Sequence, residues 1–183
     1  MATSRITDPR RLDMAAFAVA GADLAGEWPQ REFARLAGVT VAGAAAAQPV
    51  RWHASGARVS LEGAGVQPAL QIEADTQVVL ECQRCLQPLQ LPLHIARHIF
   101  FVAGEDVAAA LDADSDDDVL ALTPSLDLHA LVEDELLLAL PLVPRHAACA
   151  LPLPVGGAEL PAEKMAEHPF AALAALKARV LPN

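Results

Sequence analysis

The clearest pattern along the chain is an alternation of apolar and polar positions that begins near residue 50 and ends near residue 102. Leu70, Ile72 and Ala74 alternate with polar residues, which is the period of two expected for a sheet covered on one side. Strand-like segments cover residues 51–62, 68–81 and 87–102, and turn-like residues separate them. The pattern predicts an antiparallel meander or a small barrel-like sheet.

Helical patterns flank this predicted sheet. Residues 8–20 and 30–37 have compositions compatible with short helices. Asp127 is a suitable N-cap for a longer helix over residues 128–140, which Pro141 would end. Together these elements predict the α+β class, with one central helix and shorter helices around an antiparallel sheet.

The predicted central helix carries carboxylates on its apolar side. Its apolar stripe comprises Leu128, Leu131, Val132, Leu138 and Ala139. Glu135 falls in the middle of the stripe, with Glu133 and Asp134 at its two sides. A buried carboxylate needs a cation or a hydrogen-bond donor, and Arg84 and Arg145 are the expected partners. A rotation of the helix that leaves Glu135 partly exposed is the alternative.

Residues 104–123, between the sheet and the helix, are strongly acidic. The stretch contains Asp112, Asp114, Asp116, Asp117 and Asp118. It has little to bury, so we expect a mobile and solvated acidic loop. The aspartate spacing is similar to the start of a calcium loop, but the glycine that such a loop needs at its sixth position is missing.

The chain length favours one main domain with a tail. A chain of 183 residues is long enough for one well-buried core. We predict a single α+β domain over residues 1–150, and a proline- and glycine-rich linker with a C-terminal amphipathic arm over residues 151–183. The arm would dock on its own domain or on a partner, and both alternatives stay open.

Charge and hydropathy narrow the partners. The chain has 23 acidic and 13 basic residues and a formal net charge of −10, which disfavours non-specific nucleic-acid binding. An acidic surface suits a basic partner such as a ribosomal protein. The longest apolar run, residues 136–144, is shorter than the ~20 residues that cross a bilayer, and no segment resembles a secretory signal. We expect a cytoplasmic protein without membrane contact.

Candidate metal chemistry lies in three cysteines and one histidine. Cys82 and Cys85 form a Cys-x2-Cys turn after a predicted strand, and His146 and Cys149 form His-x2-Cys after the central helix. These four side chains are enough for one tetrahedral zinc site. Redox dithiol chemistry is disfavoured, because the residues after the turn continue as a strand rather than a helix. The simplest interpretation is a tight turn with two reduced cysteines, and zinc is the alternative.

No pattern in the sequence favours catalysis. The chain offers no Ser/His/Asp spacing, no glycine-rich phosphate loop and no carboxylate pair at metal-ligand spacing. We therefore expect neither enzymatic activity nor a small-molecule substrate.

Three segments together resemble the YceD family, the large ribosomal RNA subunit accumulation proteins of bacteria. They are residues 81–88 around the Cys-x2-Cys turn, residues 127–146 with the Val-Glu-Asp-Glu and Pro-Leu-Val-Pro-Arg-His sequences, and residues 168–177. They occur in the family's order, with an acidic stretch before the second and a proline-rich linker before the third. The resemblance spans about residues 25–178.

The resemblance implies a non-enzymatic role in the synthesis, processing or stability of large-subunit (23S) ribosomal RNA. The expected partner is a basic ribosomal protein or a pre-ribosomal large subunit, with indirect or weak RNA contact. The residues expected to bind this partner are Arg84, Glu133, Asp134, Glu135 and Arg145.

Two alternatives stay open beside this role. One is a zinc-containing RNA-binding module that uses Arg84, Arg97, Arg145 and His146 as a local basic patch. The other is a hydrolase that processes ribosomal RNA, with Glu135 and His146 as its acid and base.

Overall fold

The computed structural model describes residues 7–41 and 48–149. The predicted C-terminal arm, residues 151–183, lies outside the described residues. In the part of the chain that is described, no helix reaches the length and apolarity that crossing a bilayer requires.

Within the described residues, helix α1 spans Met14–Ala20. Its N-cap is Asp13, whose carboxylate accepts a hydrogen bond from the Ala16 N–H at 3.0 Å. Its C-cap is Gly21, whose φ of 56° is the left-handed conformation that glycine adopts at little cost. The helix is therefore shorter than the predicted 8–20 and begins at its capping aspartate.

A strand and two short helical segments follow α1. Strand β1 spans Asp23–Trp28, a 3₁₀ turn spans Gln30–Glu32, and helix α2 spans Ala34–Val39. The turn and α2 together occupy the predicted short helix over 30–37. The sequence did not predict β1.

The centre of the fold is the predicted antiparallel meander. Strand β2 spans Val50–Leu61, β3 spans Gly65–Glu81 and β4 spans Pro88–Val102, with antiparallel pairing throughout. β1 extends the sheet beyond β2, and the strand order is β1-β2-β3-β4-β5. The α+β class and the meander are confirmed. Among residues 7–41 and 48–149 the two edge strands do not pair with each other, so the sheet is open rather than barrel-like.

The prediction of a mobile loop over residues 104–123 was wrong. Helix α3 spans Glu105–Asp112, and strand β5 spans Asp118–Ala121 and pairs with β4 in parallel. Ala108 and Val119 are buried, because a few apolar residues between the aspartates suffice to pack this segment on the sheet.

The central helix, α4, spans Leu128–Leu138. Its predicted N-cap is confirmed, since the Asp127 carboxylate accepts a hydrogen bond from the Ala130 N–H at 3.0 Å. The predicted apolar stripe was wrong at its C-terminal end, where Leu138 is 73% exposed and Ala139 is also exposed. The helix is rotated so that it buries Leu128, His129, Val132, Glu133, Glu135 and Leu136. Two carboxylates are buried by this rotation, and each has a partner, described below.

Apolar side chains pack on both faces of the sheet. The main core joins α1 and α4 to one face, and Phe17 lies fully buried within it. Gly56 on β2 permits this packing, because a Cβ there would come within 2.4 Å of the Phe17 ring. A second cluster, on the residues that alternate with the main core along β4, joins α3 and β5 to the sheet: Leu61, Ala69, Phe100, Val102, Ala108 and Val119.

Candidate metal centre

The turn between β3 and β4 meets the segment that follows α4. The Gln83 N–H donates a hydrogen bond to the Pro144 carbonyl at 2.9 Å and so joins the two segments. The turn is closed by two further hydrogen bonds, from the Cys82 N–H to the Gln87 carbonyl and from the Leu86 N–H to the Cys82 carbonyl. Leu86 has a φ of 57°, an uncommon conformation for a leucine. We call residues 82–88 and 141–149 the cysteine tip.

The structure brings together the four residues that the sequence singled out as zinc ligands. The sulfur atoms of Cys82, Cys85 and Cys149 and a ring nitrogen of His146 all lie within 4.8 Å of one another. Cys82 is buried and the other three are partly exposed. None of the cysteines, all of which fall among the described residues, forms a disulfide. The cluster could therefore hold one metal ion.

The orientation of His146 suits a metal ligand. Its Nε2 lies 3.2 Å from the Pro88 carbonyl oxygen, and its Nδ1 lies 3.4 Å from the Cys85 sulfur. A carbonyl oxygen can only accept a hydrogen bond, so in the neutral imidazole Nε2 carries the proton and Nδ1 presents its lone pair to the cluster. Histidines that bind metals are commonly oriented by such a hydrogen bond from the other ring nitrogen to a carbonyl.

The sulfur of Cys82 lies in a field of backbone N–H groups. Burial raises the pKa of this thiol, but hydrogen bonds from the backbone of His146, Arg84 and Cys85, together with the Cys85 side chain, lower it to about 5. The thiolate, rather than the thiol, is the form that binds metals. The hydrogen bonds around Cys82 thus favour the form of this side chain that a metal ion would require.

The carboxylates of α4 are engaged within the fold. Glu133 accepts hydrogen bonds from the backbone N–H groups of Arg35 and Leu36, at 2.7 and 3.2 Å, and from the Arg35 guanidinium at 3.0 Å. It therefore satisfies N–H groups in the first turn of α2. Burial raises the pKa of Glu133, but these hydrogen bonds outweigh it and hold the pKa below its usual value.

The partner of the predicted buried carboxylate differs from the expectation. Glu135 accepts a hydrogen bond from Arg97 on β4 at 2.7 Å, and Asp134 pairs with Arg35 at the surface. The expected partners, Arg84 and Arg145, are both exposed in the cysteine tip, and that expectation was wrong. No sequence signal distinguishes these arginines, because the pairing depends on how α4 crosses the sheet.

The two components of the predicted acid–base pair are each engaged elsewhere. Glu135 is bound to Arg97, and His146 is bound to Cys85 and Pro88.

An aromatic cluster near α4 was not predicted from the sequence. The rings of Trp28 and Trp52 stack with centroids 4.4 Å apart, and those of Phe33 and His129 stack at 4.1 Å. Burial lowers the pKa of His129 and so favours the neutral form of this histidine inside the fold.

A group of acidic residues lies at the opposite end of the β3–β4 hairpin. A cavity of about 660 Å³ is lined there by apolar Phe100 and Leu111 and by the carboxylates of Glu62, Asp114 and Asp116, among others. We call this region, α3 and β5 with the residues between them and Glu62, the acidic end.

Comparison with known proteins identifies the family. The family model described as large ribosomal RNA subunit accumulation protein YceD matches residues 70–177. The chain belongs to the YceD family. The matched span contains all four residues of the cysteine cluster and the whole of α4.

One curated YceD protein illustrates the extent of the similarity. The large ribosomal RNA subunit accumulation protein YceD of Haemophilus influenzae is 37% identical to this chain over 112 residues, which cover 59% of the chain and 62% of the relative. The chain thus spans about three fifths of the length of this relative. No solved structure matches the chain.

Proposed function

We propose that this YceD-family chain is a non-enzymatic cytoplasmic factor that supports the accumulation of large-subunit ribosomal RNA by binding the pre-ribosomal large subunit. The observation that carries the proposal is the family match over residues 70–177, since the family description names this accumulation. The engagement of Glu135 and His146 by other residues supports a binding role over hydrolysis.

This role can be tested by measuring ribosomal RNA in cells that lack the chain. The ratio of large-subunit to small-subunit ribosomal RNA should fall in such cells and recover when the wild-type chain is supplied. The chain should also co-sediment with large-subunit precursors at low salt. An unchanged RNA ratio, together with a chain that stays at the top of every gradient, would refute the proposal.

We further propose that zinc fills the cysteine cluster. Three cysteines and one histidine form a Cys₃His set, which is typical of closed, four-coordinate structural zinc sites. At Zn–S bonds of about 2.3 Å, tetrahedral ligands lie roughly 3.3–3.8 Å apart, so four ligand atoms within 4.8 Å of one another need only a small contraction. When bound, the ion would supply no open position for chemistry and would cross-link the turn after β3 to the segment after α4.

The acidic end supports a second contact, with a basic ribosomal protein. Its cavity is lined both by apolar side chains, Phe100 and Leu111, and by carboxylates. A lysine or arginine side chain has the matching chemistry, an aliphatic stem and a charged head. Asp114→Asn/Asp116→Asn should weaken capture of large-subunit ribosomal proteins without changing metal content, and unchanged capture would contradict this contact.

A further inference from the structure

We propose that the cysteine tip contacts RNA directly, by binding the phosphates of single-stranded ribosomal RNA with Arg84 and Arg145. This inference rests on the proposed function, and it names the partner of one surface.

The first observation is that the two segments of the tip carry no acidic residue of their own. The chain has 23 acidic residues, yet none lies in residues 82–104 or in residues 136–158, which together contain both segments. Exposed Glu81, which lies opposite Pro88 in the β3–β4 pairing, borders the tip. The net charge of −10 is therefore distributed over the rest of the molecule. A local surface on which two guanidinium groups outnumber the bordering carboxylate of Glu81 can accept a phosphate even on an acidic protein, because salt screens more distant charges beyond about 8–10 Å.

The second observation concerns the arginines of the basic patch that are not held in ion pairs within the described residues and can therefore bind a phosphate. Arg97 belongs to the same carboxylate-free stretch, but it is bound to Glu135 at 2.7 Å. Arg84 and Arg145 are exposed, and within residues 7–41 and 48–149 neither forms an ion pair. The basic patch suggested by the sequence is therefore reduced to these two guanidinium groups.

The third observation is that both arginines sit on a constrained backbone. Each is adjacent in sequence to a residue of the cluster, Arg84 to Cys85 and Arg145 to His146. The hydrogen bond from the Gln83 N–H to the Pro144 carbonyl joins the two segments next to them. A binding site held in this way loses less conformational freedom on binding than a flexible loop.

The fourth observation is that the same two segments of the tip expose apolar side chains close in sequence to the arginines. Leu86 is 62% exposed, Leu142 is fully exposed and Val143 is 48% exposed. Guanidinium groups bind phosphate oxygens in a bidentate manner and also stack on bases, while apolar side chains contact the faces of bases and sugars. An acidic peptide would pair with the arginines but would leave this apolar surface uncovered. The combination favours RNA.

Binding of the full chain to a fluorescently labelled uridine 20-mer, measured by anisotropy over a range of salt concentrations, tests the inference. Arg84→Glu/Arg145→Glu should weaken binding at least about tenfold and should reduce the salt slope by about 1.4, which is about 0.7 for each of the two phosphates that the variant no longer binds. The matched control is Arg31→Glu/Arg58→Glu, which reverses two other exposed arginines and changes the net charge equally, from −10 to −14. The control should weaken binding less than about threefold.

Metal content and circular dichroism of each variant show that the tip is intact. Equal weakening in the two double variants would overturn the inference, because the effect would then be one of net charge. A poly-glutamate peptide that binds wild type as tightly as the RNA, through the same two arginines, would also overturn it and would indicate an acidic protein partner.

Complementation separates this inference from the proposed function. If Arg84→Glu/Arg145→Glu loses RNA binding and fails to restore the ratio of large-subunit to small-subunit RNA, both stand. If it loses RNA binding but restores the ratio fully, the RNA contact at the tip is refuted as a functional element while the proposed function stands. If deletion of the chain does not alter the ratio, the proposed function fails, whatever the RNA affinity.

Discussion

Different interactions stabilise the two ends of the β3–β4 hairpin. At the acidic end, Phe100, Val102 and Val119 belong to an apolar cluster that packs α3 and β5 onto the sheet. At the cysteine tip, the large apolar side chains Leu86 and Leu142 point to solvent, and Cys82 is the buried residue. The two ends are separated by the paired part of the hairpin, in which Ala69–Glu81 of β3 lie against β4. At ~3.3 Å per residue this paired part is roughly 40 Å long.

The two ends differ in how many carboxylates they can carry. The acidic end tolerates many carboxylates because apolar burial stabilises it independently of them. The tip has hydrogen bonds and four potential metal ligands in place of an apolar cluster. The conformation of the tip therefore depends on hydrogen bonds and potential metal–ligand bonds, which act only over short distances. The same polypeptide thus presents one surface with four potential metal ligands and few carboxylates, and a second, acidic surface that rests on apolar packing.

Removal of the metal should have the largest effect, and it should be confined to the tip. Structural zinc contributes on the order of 10 kcal/mol in zinc-finger peptides. Treatment with a chelator should therefore abolish hydrogen-exchange protection of the Gln83 N–H, which is bonded to Pro144, while protection of β2 and α3 persists. Loss of protection in α3 at the same chelator concentration would contradict this prediction, because the two ends would then unfold as one cooperative unit.

Truncation of the apolar cluster is the reciprocal test. Phe100→Ala should lower the free energy of unfolding by about 3–5 kcal/mol, because Phe100 is only 3% exposed. Metal content should be unchanged. Leu120→Ala on the adjacent strand, where the side chain is 40% exposed, is the control and should cost less than about 1 kcal/mol. Urea denaturation measures both, and a loss of metal from Phe100→Ala would contradict the separation.

The α4 carboxylates offer a smaller effect that should be independent of both ends. Glu133→Ala should cost about 2 kcal/mol, because it leaves the N–H groups of Arg35 and buried Leu36 without their acceptor. The matched change Asp134→Ala should cost less than about 0.5 kcal/mol, since the Asp134–Arg35 pair is about half exposed on both sides. Equal costs in urea denaturation would show that the interaction with α2 contributes nothing.

The smallest expected effect is a pH dependence that comes from His129. Burial lowers the pKa of this histidine, as does Arg10, and nearby carboxylates only partly offset them: Asp127, Glu133 and Glu32. Because the folded state binds this proton less readily than the unfolded state, stability should fall as the pH drops below the ordinary value of 6.5. His129→Phe should lose less stability than wild type between about pH 7 and about pH 5.5. Identical losses in urea denaturation would assign the pH dependence to other groups.

The sequence predicted those features that a long local pattern determines. Strand β3 contains 17 residues, so its alternation defined the meander to within a few residues. Asp127 marked the start of α4 because an N-cap acts on N–H groups two or three residues away. The four potential metal ligands of the cysteine tip were identified because each pair is separated by two residues, which is the spacing of a metal-binding turn.

Features that depend on tertiary contact were missed. The apolar residues of 104–123, such as Ala108, Leu111 and Val119, are few and are separated by aspartates, so their packing on Phe100 is not evident from composition. The choice of Arg97 over Arg84 as the partner of Glu135 depends on where α4 crosses β4. Strand β1 pairs with β2 over six residues, too short a stretch for its alternation to be distinctive.

We propose that one zinc ion binds Cys82, Cys85, His146 and Cys149. Elemental analysis of the full chain, purified without chelator or histidine tag, tests this proposal without any assumption about function. The account predicts one zinc per chain in wild type and none in Cys82→Ser, with zinc retained in Cys82-intact controls such as Asp134→Ala. A folded wild-type chain without metal, or a Cys82→Ser variant that retains a full equivalent of zinc, would contradict it.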